Sequence, residues 1–194
     1  MSLARRTLPL LTLLVVAAGC GGGDSKPPAE HADPAARPPD GWKTVRNRAA
    51  GFTLSVPRNW TAKVKSAATL IRSKDKLLVI TVAADRGEEG RDLTATAYAK
   101  QTLESLPEFE GSEGAASRVW GSPYRSARVD GGGTLKTSKR PQRIVVVAYR
   151  RPKKVMYALV AFFNPKLPAA FYEPTLRRVL RSLRGQPPRG AATS

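Results

Sequence analysis

Two of the side chains that carry most enzyme and metal chemistry occur once each in this 194-residue chain: Cys20 and His31. A nucleophile–His–acid triad needs an imidazole inside the folded part, and a Cys/His metal centre needs several such ligands, so both constellations fall away. His31 stands among prolines in a stretch with almost nothing apolar, where an imidazole is solvated. Carboxylates are the next chemistry to consider: Glu88 and Glu89 are adjacent, and Glu104, Glu108, Glu110 and Glu113 follow along one segment. A glycosidase needs an acid and a base across a sugar-width gap, and these residues are expected in loops with no aromatic platform beside them. Gly131-Gly132-Gly133-Thr134 lacks the Lys and the following helix of a phosphate-binding loop, and reads as a turn. No enzymatic activity, cofactor or metal is expected.

Positive charge is the remaining signal. Thirty-three Lys and Arg face fifteen Asp and Glu, a formal net charge of +18. The basic residues cluster as Lys136, Lys139, Arg140 and Arg143; as Arg150, Arg151, Lys153 and Lys154 on a tight turn; and as Arg177, Arg178, Arg181 and Arg184 near the C-terminus, where Arg177, Arg181 and Arg184 share one helical stripe. The residues expected to meet an anionic partner are Arg150, Arg151, Lys153, Lys154, Arg177, Arg181 and Arg184. The alternative is that an Arg-rich composition merely solvates the surface.

The N-terminus carries a basic start with Arg5 and Arg6, then an apolar run from Leu8 to Ala18, then Gly19-Cys20-Gly21. This is the layout of a secretory signal, and roughly a dozen apolar residues are too few to span the ~30 Å of membrane hydrocarbon. Val16-Ala17-Ala18-Gly19-Cys20 resembles a bacterial lipobox, with Ala17 where Leu is usual. The resemblance implies a diacylglycerol on the Cys20 thiol and cleavage before it, with fatty acyl chains such as palmitate holding the protein on the extracytoplasmic face of the cell membrane. The alternative is a plain signal peptide cut near Ala18. Arg5-Arg6 also hints weakly at twin-arginine export. Removing residues 1–19 takes away two basic residues and no acidic one, so the exported part keeps a net charge of +16. Export, together with the lack of a nucleic-acid motif or interleaved aromatics, argues against a nucleic-acid partner. An envelope protein, anionic lipid or anionic glycan is expected instead.

The expected organisation is a signal over 1–19, a lipidated Cys with a Pro/Gly-rich tether over 20–41, one folded domain over 42–184 and a tail over 185–194. The tether reaches on the order of 25 to 60 Å. Within the domain, Trp42 to Arg46 and Phe52 to Val56 read as a hairpin about Asn47 to Gly51. Ala62 to Ser73 and Leu77 to Ala84 form a second pair about Lys74-Asp75-Lys76, with Leu77 to Ile80 continuous enough for a central strand covered on both faces. Asp92 caps a helix running to Leu106. Ser117 to Trp120, Tyr124 to Val129, Arg143 to Arg150 and Val155 to Phe163 are further strands. A last helix has Pro174 in its first turn and Tyr172, Leu176, Val179, Leu180 and Leu183 on its apolar face, and Gly185 closes it.

With Gly51-Phe52-Thr53-Leu54-Ser55-Val56-Pro57-Arg58-Asn59-Trp60 near its start and the Leu176 to Leu183 helix near its end, the domain resembles the PsbP-like superfamily. It is similar in particular to the lipoproteins of the LpqN/LpqT type in high-GC Gram-positive bacteria. The resemblance covers most of residues 42–184. It implies an α+β fold with a single antiparallel sheet sandwiched by helices, and a non-enzymatic binding or accessory role. Trp60 is expected to pack over the sheet edge. An alternative function is a carrier, holding a lipid or small apolar ligand between sheet and helix against Tyr98, Tyr157, Phe162, Phe163 and Phe171.

Overall fold

The computed structural model describes residues 38–106, 116–135, 140–151, 155–164 and 167–185. Its centre is the pair of most apolar segments, β7 (Arg140–Arg151) and β8 (Val155–Phe163). They run antiparallel in a register from Arg143 opposite Phe163 to Arg151 opposite Val155. Val145, Val147 and Tyr149 of β7 are buried on one face and Ile144, Val146 and Ala148 on the other. A strand buried on both sides reads as a continuous apolar run, and Ile144 to Tyr149 is that run. Leu77 to Ile80 was expected to have this character. Instead β5 (Leu78–Asp85) alternates, with Leu78, Ile80 and Val82 buried and Val79 and Thr81 half-buried, because among the described residues no helix fully covers its second face.

β3 (Thr61–Val64), β4 (Ala68–Arg72) and β6 (Arg125–Leu135) complete a six-stranded sheet in the order β3-β4-β5-β8-β7-β6, every pairing antiparallel. The stretch Ala62 to Ser73 is therefore two strands, broken at Lys65-Ser66 by a polar turn. Ser117 to Trp120 contributes only a bridge, Ser117 opposite Arg128. Gly131-Gly132-Gly133 is strand rather than turn, paired with Ile144, Arg143 and Gln142. Its glycines admit a helix at close range, since a Cβ on Gly131 would stand 3.0 Å from both Leu103 methyl carbons.

The expectation of a single sheet is corrected. β1 (Trp42–Asn47) and β2 (Phe52–Pro57) form, with β9 (Arg184–Gly185), a separate three-stranded sheet in the order β1-β2-β9. The physical reason lies in β2. Phe52, Leu54 and Val56 are all buried in the core shared with Ile80 and Leu159, so the hairpin lies over the large sheet instead of extending its edge. The free edge of β2 is taken by β9: Gly185 and Arg184 pair with Phe52 and Thr53, and Ser182 Oγ then accepts from Ser55 N (2.9 Å). Gly185 thus belongs to a strand.

α3 (Ala169–Ser182) shares this layer, burying Tyr172, Leu176, Val179 and Leu180, with Leu183 just beyond it. It begins five residues before Pro174, so Pro174 sits inside the helix and not in its first turn. Tyr149 Oη donates to Leu180 O (3.0 Å), fixing the helix to β7. On the opposite face of the large sheet lies α2 (Ala95–Glu104), whose Ala99 and Leu103 pack on Ala127, Val129, Ile144 and Val146. Thr94, and not Asp92, caps it: Thr94 Oγ1 accepts from Ala97 N, while Asp92 ends the short preceding helix α1 (Glu88–Asp92). No helix among the described residues is long and apolar enough to cross a membrane.

Candidate functional site

α3 turns Leu176, Val179 and Leu180 inward, so its helical period leaves Phe171, Pro174, Arg177, Arg178 and Arg181 outward. These side chains are not a loose row of charges. The Arg178 guanidinium lies over the Trp42 ring, 4.7 Å from its centroid. Arg181 Nε donates to Trp120 O (2.8 Å), and its stem lies against Gly121, whose φ of +78° turns the chain back at that point. Trp120 is held out into solvent, 72% exposed, with Arg118 over its ring at 5.7 Å. Phe171 is 71% exposed at the other end of the face. At 1.5 Å per residue the ridge from Phe171 to Arg181 runs roughly 15 Å. Large exposed aromatics interleaved with Arg are the residues that dominate protein–protein binding energy.

The sequence-predicted residues fall in different places. Arg177 and Arg181 are exposed on α3, Arg177 at 3.6 Å from Glu173 one turn back. Arg184 lies past the helix end, where its Nη1 donates to Arg181 O and Leu183 O and satisfies carbonyls the helix leaves open. Arg150 donates to Gly90 O and Arg91 O at the end of α1. Arg151 packs beside Gly185 and the Tyr157 hydroxyl. Lys153, Lys154, Lys136, Lys139 and Cys20 lie outside the described residues. Arg118 and Trp120 carry no sign of this role in the sequence. Arg178 shared a cluster with its neighbours, but nothing in the chain signalled that Trp120 would remain exposed.

The ridge is fixed from beneath by charge. Arg128 of β6 forks onto Asp130 (2.8 and 3.1 Å) and onto Glu173 of α3 (2.5 and 3.1 Å), and Arg143 reaches Asp130 at 3.2 Å. Burial penalises the Arg128 charge, yet the hydrogen bonds to Glu173 and Asp130 outweigh it and hold the guanidinium above its usual pKa. Burial likewise pushes Glu173 up, but Arg128 overrides this and holds its carboxyl below the ordinary range. Beside Phe171 is an open cleft of about 520 Å³ lined by Pro57, Asn59, Trp60, Lys74, Phe171 and Tyr172. Trp60 is buried here as part of the core. Tyr172 Oη donates to Asp75 Oδ2 (2.5 Å), joining α3 to the β4–β5 turn; burial and this hydrogen bond raise the phenol to about 12.

The aromatic residues expected to line a carrier groove do not share one space. Tyr157 and Phe163 are buried in the core under α3, Phe162 and Tyr98 pack on the opposite face with α2, and Phe171 stands in solvent. The described residues hold no cluster of three His, Cys, Asp or Glu suited to a metal.

This arrangement defines a PsbP/Mog1-like fold, built mostly of antiparallel sheet with few helices. Cyanobacterial PsbP from Synechocystis superposes with a TM-score of 0.51 at 11% identity, over 79% of this chain and 99% of that one. The Saccharomyces cerevisiae Ran-binding protein Mog1p gives 0.50 at 12% identity, over 74% and 95%. LpqN, described as involved in cell envelope biogenesis of Mycobacterium tuberculosis, gives 0.49 at 16%, over 75% and 91%. The chain spans about half the length (48%) of a Bacteroides thetaiotaomicron protein with a TM-score of 0.52 at 11% identity. No protein-family profile matches the sequence, and no curated protein matches it.

Proposed function

We propose that the chain is an exported lipoprotein, anchored through Cys20 on the extracytoplasmic face of the cell membrane, that acts as a non-enzymatic binding module of the envelope. Its partner is an acidic envelope protein, met by the outer face of α3 and the adjoining corner: Phe171, Arg177, Arg178, Arg181, Arg118 and Trp120. The observation that carries this reading is Trp120, 72% exposed between Arg118 and Arg181. A Trp held in water by backbone contacts of its neighbours has no folding role that explains its position, whereas it suits a contact residue of an interface. The net charge of +16 on the exported part steers an acidic partner toward the face. A scaffold of this fold serves Ran binding in Mog1p, so protein docking is within its repertoire.

The anchor is tested by metabolic labelling with an alkyne fatty acid: label on the wild type and none on Cys20→Ser supports it, and equal label on both refutes it. The docking face is tested by crosslinking full-length protein in its own membranes. Arg177→Gln/Arg181→Gln and added salt both abolish the crosslinked species if the face is used, and neither does so if it is not.

A further inference from the structure

At the end of the molecule where the β1–β2 and β3–β4 turns meet, Arg46, Asn47, Arg48, Ala49, Val64 and Lys65 line, with Ser66, a cleft of about 570 Å³. Three of these residues are cations and none is a carboxylate. Most of the Arg side chains discussed above have a partner inside the protein: Arg128 and Arg143 on Asp130, Arg177 on Glu173, Arg150 and Arg184 on carbonyl oxygens. Arg46, Arg48 and Lys65 are exposed, and none of them forms an ion pair among the described residues. Like charges brought to one concavity repel, and the repulsion is relieved by an anion between them.

The cleft is also built rather than incidental. Asn47 is fully buried and rivets the two turns together: its Nδ2 donates to Lys65 O (2.8 Å) and Thr69 Oγ1 (3.1 Å), and its Oδ1 accepts from Ala50 N (2.9 Å). Gly51, at φ +74°, closes the first turn by donating its N–H to Asn47 O (2.9 Å). Arg86 Nη2 holds Ala50 O from the far side at 2.8 Å. The backbone that carries the three cations is thus fixed before any ligand arrives. Val64, 49% exposed, and Ala49 add a small apolar surface to the lining.

A cleft lined by two guanidinium groups, an ammonium and the exposed Val64 and Ala49 matches a phosphoryl ester carrying a short aliphatic group: the planar forks take phosphate oxygens pairwise, and the apolar side chains take methylene or glycerol carbons. We propose that this cleft binds the phosphoryl group of a glycerophosphate ester. The two sources of that chemistry are the headgroup of an anionic phospholipid and a soluble phosphate ester. The site shares no residue with the α3 face and does not depend on it.

The test uses full-length chain and two probes: sn-glycerol 3-phosphate, and vesicles of phosphatidylcholine with or without phosphatidylglycerol. Backbone amide shifts are followed at Ala49, Val64, Lys65 and Ser66. The comparison is between Arg46→Gln/Arg48→Gln/Lys65→Gln and a control with the same loss of charge, Arg72→Gln/Lys100→Gln/Arg125→Gln. The proposal expects saturable shifts at those four amides. It also expects affinity for phosphatidylglycerol vesicles to fall on the order of 100-fold in the cleft variant, from about fivefold per cation, with little change in the control. Saturation by glycerol phosphate supports the site and assigns it to the soluble ester; shifts with anionic vesicles alone support it and assign it to the headgroup. Circular dichroism confirms that both variants are folded, so a loss reports binding. Absence of shifts with either probe overturns the proposal, and so does an equal loss in the control, which would leave only net charge.

Discussion

Replacing Arg128 with Met removes one of the ties that set α3 on the sheet, and its cost can be worked from the geometry. Arg128 donates four hydrogen bonds, two to Asp130 and two to Glu173, with its side chain 14% exposed and that of Glu173 21%. Removing one partner of a fully buried pair costs about 3–5 kcal/mol, because the other charge is left desolvated. Here Asp130 keeps Arg143 at 3.2 Å and Glu173 keeps Arg177 at 3.6 Å, both partly in water. A cost of about 2–3 kcal/mol at neutral pH follows. Arg128→Lys rescues little of it, since an ammonium cannot fork onto two carboxylates. The pH dependence carries a definite sign. Glu173 is held below its unfolded value of 4.5, so its contribution is fully present above that value and is lost as pH falls through the depressed folded value. The gap between wild type and variant therefore narrows on acidification. Urea unfolding followed by Trp fluorescence, at neutral pH and well below 4.5, measures both quantities. A loss under about 0.5 kcal/mol at neutral pH, the range of an ordinary surface substitution, or a gap unchanged by acid, refutes the reasoning.

Three further outcomes are expected. Trp120→Ala changes unfolding free energy by less than about 0.5 kcal/mol, because the ring is in solvent, yet weakens partner binding tenfold or more; an equal effect on folding and binding would remove Trp120 from the interface. Burial and then the hydrogen bond to Asp75 raise Tyr172 from 10.0 to about 12, so the stability it contributes is full below 10 and lost as pH rises through 12; Tyr172→Phe flattens the alkaline limb of the stability curve, and an unchanged limb contradicts the raised phenol. Gly131→Ala places a Cβ 3.0 Å from the Leu103 methyls and costs about 1–2 kcal/mol by chemical denaturation. In a Leu103→Ala background the same change costs less, and strict additivity would show that the contact is not the cause.

Local pattern carried far in this chain where one element's own residues decide its state. The strand Val155 to Phe163 and the hairpin of Trp42 to Arg46 with Phe52 to Val56 are legible from alternation and turn residues, and the apolar face of the last helix from its period. What was not legible depends on neighbours distant in sequence. Gly131-Gly132-Gly133 carries turn chemistry, and only Leu103 arriving across the sheet explains glycines within a strand. The hairpin stands apart as a second sheet because Phe52, Leu54 and Val56 bury in the shared core, and Arg184-Gly185 returns to the edge of β2, a pairing over more than a hundred residues that no local signal announces. The candidate site divides in the same way. Cationic clusters are visible in composition, but whether a given Arg faces solvent, a carboxylate or a helix carbonyl is settled by packing, which turned Arg150 and Arg184 inward to backbone oxygens and left Trp120 outside.

The most direct test of the docking account is site-specific photocrosslinking in intact cells, with the photoreactive residue at position 120 and, as a reference, at position 63 on the exposed strand β3. The account predicts one protein adduct from position 120, sensitive to salt and lost in Arg177→Gln/Arg181→Gln, and no such adduct from position 63. Adducts of equal yield from both positions, or an adduct from 120 indifferent to the two Arg substitutions, would contradict it.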